Sequence, residues 1–421
     1  MIQYDVGKDI NVFATKIRLL KIGKDVLLNL SLLAFIVVAV TFSDSGLMKP
    51  FGLMLLIFSI LKGPQKLFNY AGKFPPEIVF LNYWVVWSAI TGIIVSANKD
   101  LFINSLQTVF LLVGVINLIY MLSSYNIKLL KIILFGILSA AVLHFIAVQF
   151  GFQSDEIAES SRAVGFASNP NALGVRAVYS SLILLFATPI LNPWKNKKII
   201  LNILLLVTFF SLILISGSRK SFISFLFLMA GYFIILLANR RFYFNFKRVF
   251  LLLLLFTLLI PVVVPFLIEG SILEERFVQL SERGRVQGDI RYEMMTFGIE
   301  LFSENRLFGV GLNNYRAHSP WGMYSHNDYI ESLTNTGLPG FILYQLFSLI
   351  IIVRSYKLMK ISKLKRNRFY FGMIIIAVLT VKVVGIGQIL FLQPAGMILL
   401  GVFASYSWII LKQLQNKLIS L

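Results

Sequence analysis

Residues 199–248 read IILNILLLVTFFSLILISGSRKSFISFLFLMAGYFIILLANRRFYFNFKR. Two apolar runs, 199–215 and 221–238, are separated only by Ser216-Gly217-Ser218-Arg219-Lys220, and the second run ends in a segment carrying Arg240, Arg241, Lys247 and Arg248. A helix rises 1.5 Å per residue, so ~20 apolar residues cross the ~30 Å hydrocarbon layer of a bilayer. The stretch therefore predicts two antiparallel membrane spans joined by a tight polar turn, with a basic anchor at the far end.

The same pattern extends in both directions. Apolar runs near 25–42, 46–62, 74–97, 101–122, 130–150, 172–191, 199–215, 221–238, 249–268, 337–353, 369–386 and 388–411 predict an all-α, polytopic membrane protein of about twelve spans. The last two meet around Gly385 and Gly387, where a broken hairpin is an alternative to two full helices. Composition agrees: 57% of the 421 residues are hydrophobic and only 14% are charged, against about 25% in soluble domains. A soluble fold of this size could not cover so much apolar surface. We read 1–421 as a single integral membrane domain, with 268–336 as a large extracytoplasmic loop between the ninth and tenth spans.

Charge sets the orientation. With the N-terminus in the cytoplasm, the connections on that side hold 26 Lys and Arg, and those on the other side hold 10 despite containing both long polar connections, 151–171 and 268–336. Of the 19 acidic residues, 15 fall outside. This positive-inside asymmetry predicts cytoplasmic termini. It also explains the net charge of +20 without nucleic acid as a partner. The polar stretch Met1–Lys24 is no cleavable signal peptide. The chain has no cysteine, which excludes thiol catalysis. Nothing matches a nucleotide-binding loop or a channel filter repeat, which argues against ATP-driven pumping and conduction.

The long connection has structure of its own. IRYEMMTFGIELF (290–302) predicts an amphipathic surface helix, and LFGVGLNN (307–314) a glycine-rich turn. In SHNDYIESLTNTGLP (325–339), Ser325 and Asp328 fit a capping box, and Gly337 with Pro339 a helix stop. His326 is then the first helical residue, where the helix dipole disfavours imidazolium and free N–H groups suit an anion.

Four outward-side residues stand out: Arg162, Arg219, Arg291 and His326. Arg219 follows Ser216 and Ser218 in a turn whose hydroxyls, open backbone and guanidinium suit phosphate oxygens, although an arginine snorkelling to the headgroups has the same sequence. Arg291 opens the surface helix, and a salt bridge to Asp289 or Glu293 is its plainer explanation. Asn169 and Asn171 flank Pro170 in a turn that precedes a span. His318 reads as loop surface and His144 as a buried polar contact. Glu77, Arg176 and Lys382 are the candidates a transporter would use near the membrane midplane, although all three fall near span ends. These residues describe an anion-friendly outer site and no particular reaction.

Taken in order, Asn169-Pro170-Asn171, Ser216 to Arg219, Arg291, Gly309-Val310-Gly311, His326-Asn327 and Gly337 resemble the superfamily of O-antigen ligases and oligosaccharide repeat-unit polymerases. The specific part of the resemblance runs from about Asn169 to Gly340. It implies a metal-independent, inverting glycosyltransferase, without cofactor, acting outside the bacterial cytoplasmic (inner) membrane. The donor would be an undecaprenyl-pyrophosphate-linked glycan, and the acceptor another lipid-linked repeat unit or lipid A–core. By motif, Arg219 and Arg291 would meet the donor phosphates and His326 would activate the acceptor hydroxyl. Arg162, Asn169, Asn171, Ser218 and Asn327 would complete the substrate site. Polymerase is the first expectation and ligase the second. A transporter or flippase of lipid-linked saccharide is the alternative of a different class.

Overall fold

The computed structural model describes residues 26–42, 47–61, 74–151, 163–167, 169–190, 196–240, 268–282, 290–362 and 365–419. The described residues form helices connected by turns, in a multi-pass membrane protein. Seven helices are long and apolar enough to cross a bilayer. In the numbering used here they are α3 (Pro76–Val95), α4 (Lys99–Tyr125), α5 (Leu129–Gln149), α8 (Arg219–Arg240), α12 (Asp328–Ile361), α13 (Lys365–Gly385) and α14 (Pro394–Ile419). Shorter apolar stretches lie in α1 (Val26–Thr41), α2 (Met48–Leu61), α6 (Pro170–Ile190) and α7 (Asn196–Ser216). Against the expectation of about twelve spans, the described residues hold seven helices of spanning length and four shorter apolar ones, and the run expected at 249–268 falls almost wholly outside them.

The polar segment contributes α9 (Ile272–Glu282), α10 (Ile290–Glu304) and the single turn α11 (Tyr315–His318). The surface helix expected at 290–302 is α10; it buries Met294, Gly298 and Leu301, which share one face at i, i+4, i+7 spacing. The chain after Gly385 is no broken hairpin: α13 and α14 are separate helices of 21 and 26 residues joined by residues 386–393.

The core is a bundle in which α12 packs between α3 and α13, α13 packs on α8, α6 on α7, and α14 on α4. Lipid is as apolar as the helices, so close packing rather than water exclusion must hold them together. The α8–α13 crossing shows how. A Cβ on Gly231 of α8 would lie 2.7 Å from Ile376 of α13, and one on Gly372 of α13 would lie 2.7 Å from Ile235 of α8. Each helix offers a glycine notch and, four residues on, the isoleucine that fills its neighbour's notch.

One end of the bundle is tied by charge. Arg354 of α12 forms a bidentate ion pair with Glu77 of α3, Nη1 donating to Oε2 at 2.8 Å and Nη2 donating to Oε1. Its Nε donates to Ser407 Oγ at 3.0 Å on α14, and its guanidinium lies 5.3 Å from the Trp408 ring. Both partners are buried, so removing one strands the other. Glu77→Ala is expected to destabilise the folded protein by about 3–5 kcal/mol. Thermal unfolding in detergent measures this, and an unchanged midpoint would show that the pair contributes little.

Candidate functional site

At the opposite end of α12 the chain makes its least regular turn. Asn327 is the cap: its Oδ1 accepts from Tyr329 N at 2.9 Å and Ile330 N at 3.3 Å. The helix starts at Asp328, nine residues before the expected span boundary. His326 is therefore outside the helix, not its first residue, and adopts a left-handed backbone with φ of 58°. Ser325 does not cap either. Its N–H donates to the buried Glu331 carboxylate at 2.6 Å, so the reach-back acid of this start is Glu331 rather than Asp328.

Asp328 turns inward instead. It is fully buried and accepts from Leu390 N at 2.7 Å, Tyr344 Oη at 3.2 Å and Lys382 Nζ at 3.3 Å. The Lys382 ammonium also lies 4.8 Å from the Tyr329 ring and 4.9 Å from the Tyr344 ring. A buried carboxylate is tolerated where a cation and several donors meet it. This one fastens the start of α12 to the end of α13 and to the 386–393 connection.

Gly337, expected to stop the helix, breaks it without ending the run: φ is 66° and ψ −179°, and the helix resumes through Pro339. The polar groups released by the break all find partners. Thr334 O accepts from Val310 N at 3.0 Å, Asn335 O from Gly311 N at 2.9 Å and Thr336 O from Trp87 Nε1 at 2.8 Å, while Leu338 N donates to Arg306 O at 2.8 Å. The glycine-rich turn is thus a plug for the break. Gly309, with φ of 68°, sits so close that a Cβ would come within 2.6 Å of Thr334 O, Asn335 C and Gly337 N. Asn335 Oδ1 also accepts from Tyr315 N at 3.0 Å, and Tyr315 Oη donates to Met294 O at 2.6 Å, which seats α10 and α11 on the same helix start. Burial pushes the Tyr315 phenol up to about 12, which keeps it a neutral donor.

The Ser216–Arg219 turn is built with equal economy of space. Gly217 has φ of 58°, Ser218 N donates to Ser216 Oγ at 3.3 Å, and the Ser218 and Ser221 hydroxyls are 2.8 Å apart. Helix α6 lies against this turn at Gly174, where a Cβ would be 2.7 Å from Ser221 Oγ. Asn169 caps α6, its Oδ1 accepting from Ala172 N at 2.9 Å, and Ala163 N donates to Ile215 O at 3.1 Å. The Asn169-Pro170-Asn171 turn is thus held beside the Ser216–Arg219 turn. Arg162 lies outside the described residues; its neighbour Ala163 is the residue pinned to α7.

The two halves meet at His326. The imidazole is half-buried, with the Tyr324 ring 4.4 Å away, and its pKa is lowered to about 4 by burial, then by the positive charges of Arg291 and Lys220. The first turns of α8 and α10 thus lie close enough to His326 for their charges to act on it. Of the expected site residues, Arg291 is the one whose charge reaches His326, and Arg219 directly precedes Lys220 at the start of α8. Ser218, Asn169 and Asn327 are at least partly committed to turn and cap hydrogen bonds. His318 is exposed at the end of α11. His144 is buried 3.0 Å from Arg176 Nη1. Glu77 and Lys382, set aside for a transporter, are both in ion pairs. Lys220 and Asp328 are the members that sequence reasoning missed.

An O-antigen ligase family model matches residues 204–345, which run from α7 into α12 and include Arg219, Arg291, the glycine turn, His326 and Gly337. No curated protein matches the chain. What fold and match define together is a multi-pass membrane protein with an O-antigen ligase-like segment.

The plug geometry makes a test. Gly309→Ala would strain a positive-φ position and overlap backbone on the far side of the break. We expect a loss of about 1–3 kcal/mol and faster proteolysis within 290–326. Wild-type protease resistance would mean that the turn is not wedged against α12.

Proposed function

We propose that this protein is a membrane glycosyltransferase that polymerises undecaprenyl-pyrophosphate-linked oligosaccharide repeat units by inverting, metal-independent transfer. The observation that carries this reading is the meeting of a neutral, half-buried His326 with the cationic side chains of Arg291 and Lys220, inside the segment matched by the O-antigen ligase family. In this reading the eleven described apolar helices and the run at 249–268 make twelve spans. The termini are cytoplasmic, and the 268–336 loop and the site face outward from the bacterial cytoplasmic membrane.

His326 accepts the proton of the acceptor hydroxyl as its oxygen bonds to the anomeric carbon of the donor. The bond from that carbon to pyrophosphate breaks, and the lipid pyrophosphate leaves with the electron pair. Arg219 and Arg291 meet the charge that grows on it, a task that needs fixed positive groups. Arg162, Asn169, Asn171, Ser218 and Asn327 complete the substrate surface. With an imidazole pKa of about 4, His326 is neutral at physiological pH but a weak base. A bound pyrophosphate offsets the two cations that depress it, so donor binding raises its basicity when the acceptor must be deprotonated.

His326→Ala is expected to lower turnover ~10²–10⁴-fold at equal protein level, as loss of a general base does. In the wild type the acid limb of kcat/KM that His326 sets should lie well below pH 6.5, because the free enzyme releases this proton near pH 4. Wild-type turnover in His326→Ala would remove the histidine from the reaction.

Arg219→Lys and Arg291→Lys are expected to fail in donor use as the alanine variants do, because Lys keeps the charge but loses the planar fork that engages two phosphate oxygens. Donor affinity and turnover of the four variants decide it. Full activity of both alanine variants would exclude pyrophosphate binding at these positions.

A ligase is the second reading, favoured by the description of the matched family. Reconstitution with a lipid-linked repeat unit, with and without lipid A–core, separates the two. A ladder from repeat units alone supports polymerisation, product only with core supports the ligase, and no product under either condition overturns both.

A further inference from the structure

The 386–393 connection is held from two sides by opposite charges. From α12, Asp328 takes Leu390 N at 2.7 Å, and Gly385 lies so near that its Cβ would be 3.3 Å from Asp328 Cβ. From α8, Lys220 Nζ donates to Gly387 O at 2.7 Å and to Gln388 Oε1 at 3.2 Å. The Lys220 stem runs along Gly387, where a Cβ would be 2.8 Å from Lys220 Cδ, so a larger residue there would push the stem aside. Both Lys220 acceptors are uncharged. Lys220 is therefore fixed without being neutralised by them, unlike Lys382, whose charge is met by Asp328.

Lys220 directly follows Arg219, and Asp328 follows His326 by two residues. Among the described residues, the connection that both grip bridges these two chain positions. We propose that Lys220 is a positioning residue of the transfer site: by clasping Gly387 and Gln388 it holds the Asp328-anchored connection, and with it His326, in register with the Ser216–Arg219 turn. The clasp also adds positive charge beside the imidazole. The Tyr324 ring lies 4.4 Å from that imidazole and the charges of Arg291 from α10 and Lys220 from α8 act on it, while Asp328 of α12 is paired with Lys382 of α13 and Glu331 of α12 accepts from Ser325 N.

This inference rests on the proposed transfer reaction for its kinetic arm but not for its spectroscopic arm. The chain has three histidines, so histidine-labelled protein in nanodiscs gives a readable NMR titration, with His326→Gln assigning the signal. Removing a nearby like charge raises a histidine pKa. In Lys220→Met the His326 midpoint should rise by about one pH unit, and in Lys220→Arg it should return towards wild type. In turnover, Lys220→Met should lower kcat about 10–100-fold, the cost of a small misplacement of reacting groups, with donor KM moving much less. Lys220→Arg should recover part of that loss.

Gln388→Ala removes one acceptor of the clasp and leaves the charge in place, so it should lower kcat with little change in the His326 midpoint. It also carries the kinetic test if Lys220→Met does not fold. An unchanged His326 midpoint together with unchanged kcat in Lys220→Met overturns the proposal, as does a loss confined to donor KM, which would make Lys220 a phosphate contact. Inactive wild-type protein would count against the transfer reaction while the NMR arm still tested the clasp.

Discussion

The arrangement depends on one buried carboxylate. Asp328 opens a membrane helix and has no exposed surface, yet three elements bring donors to it: the ammonium of Lys382, the phenol of Tyr344 and the backbone N–H of Leu390. An acid in such surroundings is costly to ionise unless it is paired and fully hydrogen-bonded. That requirement makes the contact specific. Only one placement of α12 against α13 and the 386–393 connection satisfies all the partners at once, and this placement fixes the chain immediately before it, His326 and Asn327.

The break at Gly337 is the second constraint, and it works through the backbone. Irregular backbone in a membrane protein must find internal partners, because lipid offers none. Here the partners are side chain and loop: the Trp87 indole from α3, the N–H groups of Val310 and Gly311, and the carbonyl of Arg306. The loop is in turn ordered by the helix it completes, since its Val310 and Gly311 N–H groups donate to Thr334 O and Asn335 O. Phe308 stacks on Trp87 with ring centroids 5.8 Å apart, so the hydrogen bond and the apolar cover arrive together. A segment that composition alone would assign to solvent is a structural part of the membrane domain.

Much of this was legible in the sequence, and what was not has a physical reason. The apolar runs fixed nearly every helix, because the period and length of a span are local properties. The surface helix at 290–302 and the glycine turn were equally readable from spacing and residue type. His326 falls one step outside the helix because the spacing of Ser325 and Asp328 matches a capping box, whereas packing makes Asn327 the cap and buries both Asp328 and Glu331. Asp328 and Lys382 are 54 positions apart, and nothing local in either stretch announces the other. Lys220 is not among the residues the sequence singles out, where its neighbour Arg219 carries the phosphate reading. Its acceptors, 167 and 168 positions away, are a main-chain carbonyl and an amide, neither of which leaves a charge pattern in the sequence.

The distribution of charge around His326 then has a consequence of its own. Two acids of the α12 start are withdrawn into the fold: Asp328 is paired with Lys382, and Glu331 accepts from Ser325 N and Asn335 Nδ2. Cations are left toward the imidazole: Arg291 is exposed and Lys220 is held by neutral acceptors. The positive charges of Arg291 and Lys220 both act on the imidazole, and the starts of α8 and α10 add the positive ends of their own dipoles. In the proposed reaction an anion entering there would offset the positive charges of Arg291 and Lys220. The same event would raise the basicity of the imidazole. Fold and chemistry are coupled through a single feature, the burial of the acids beneath the cations.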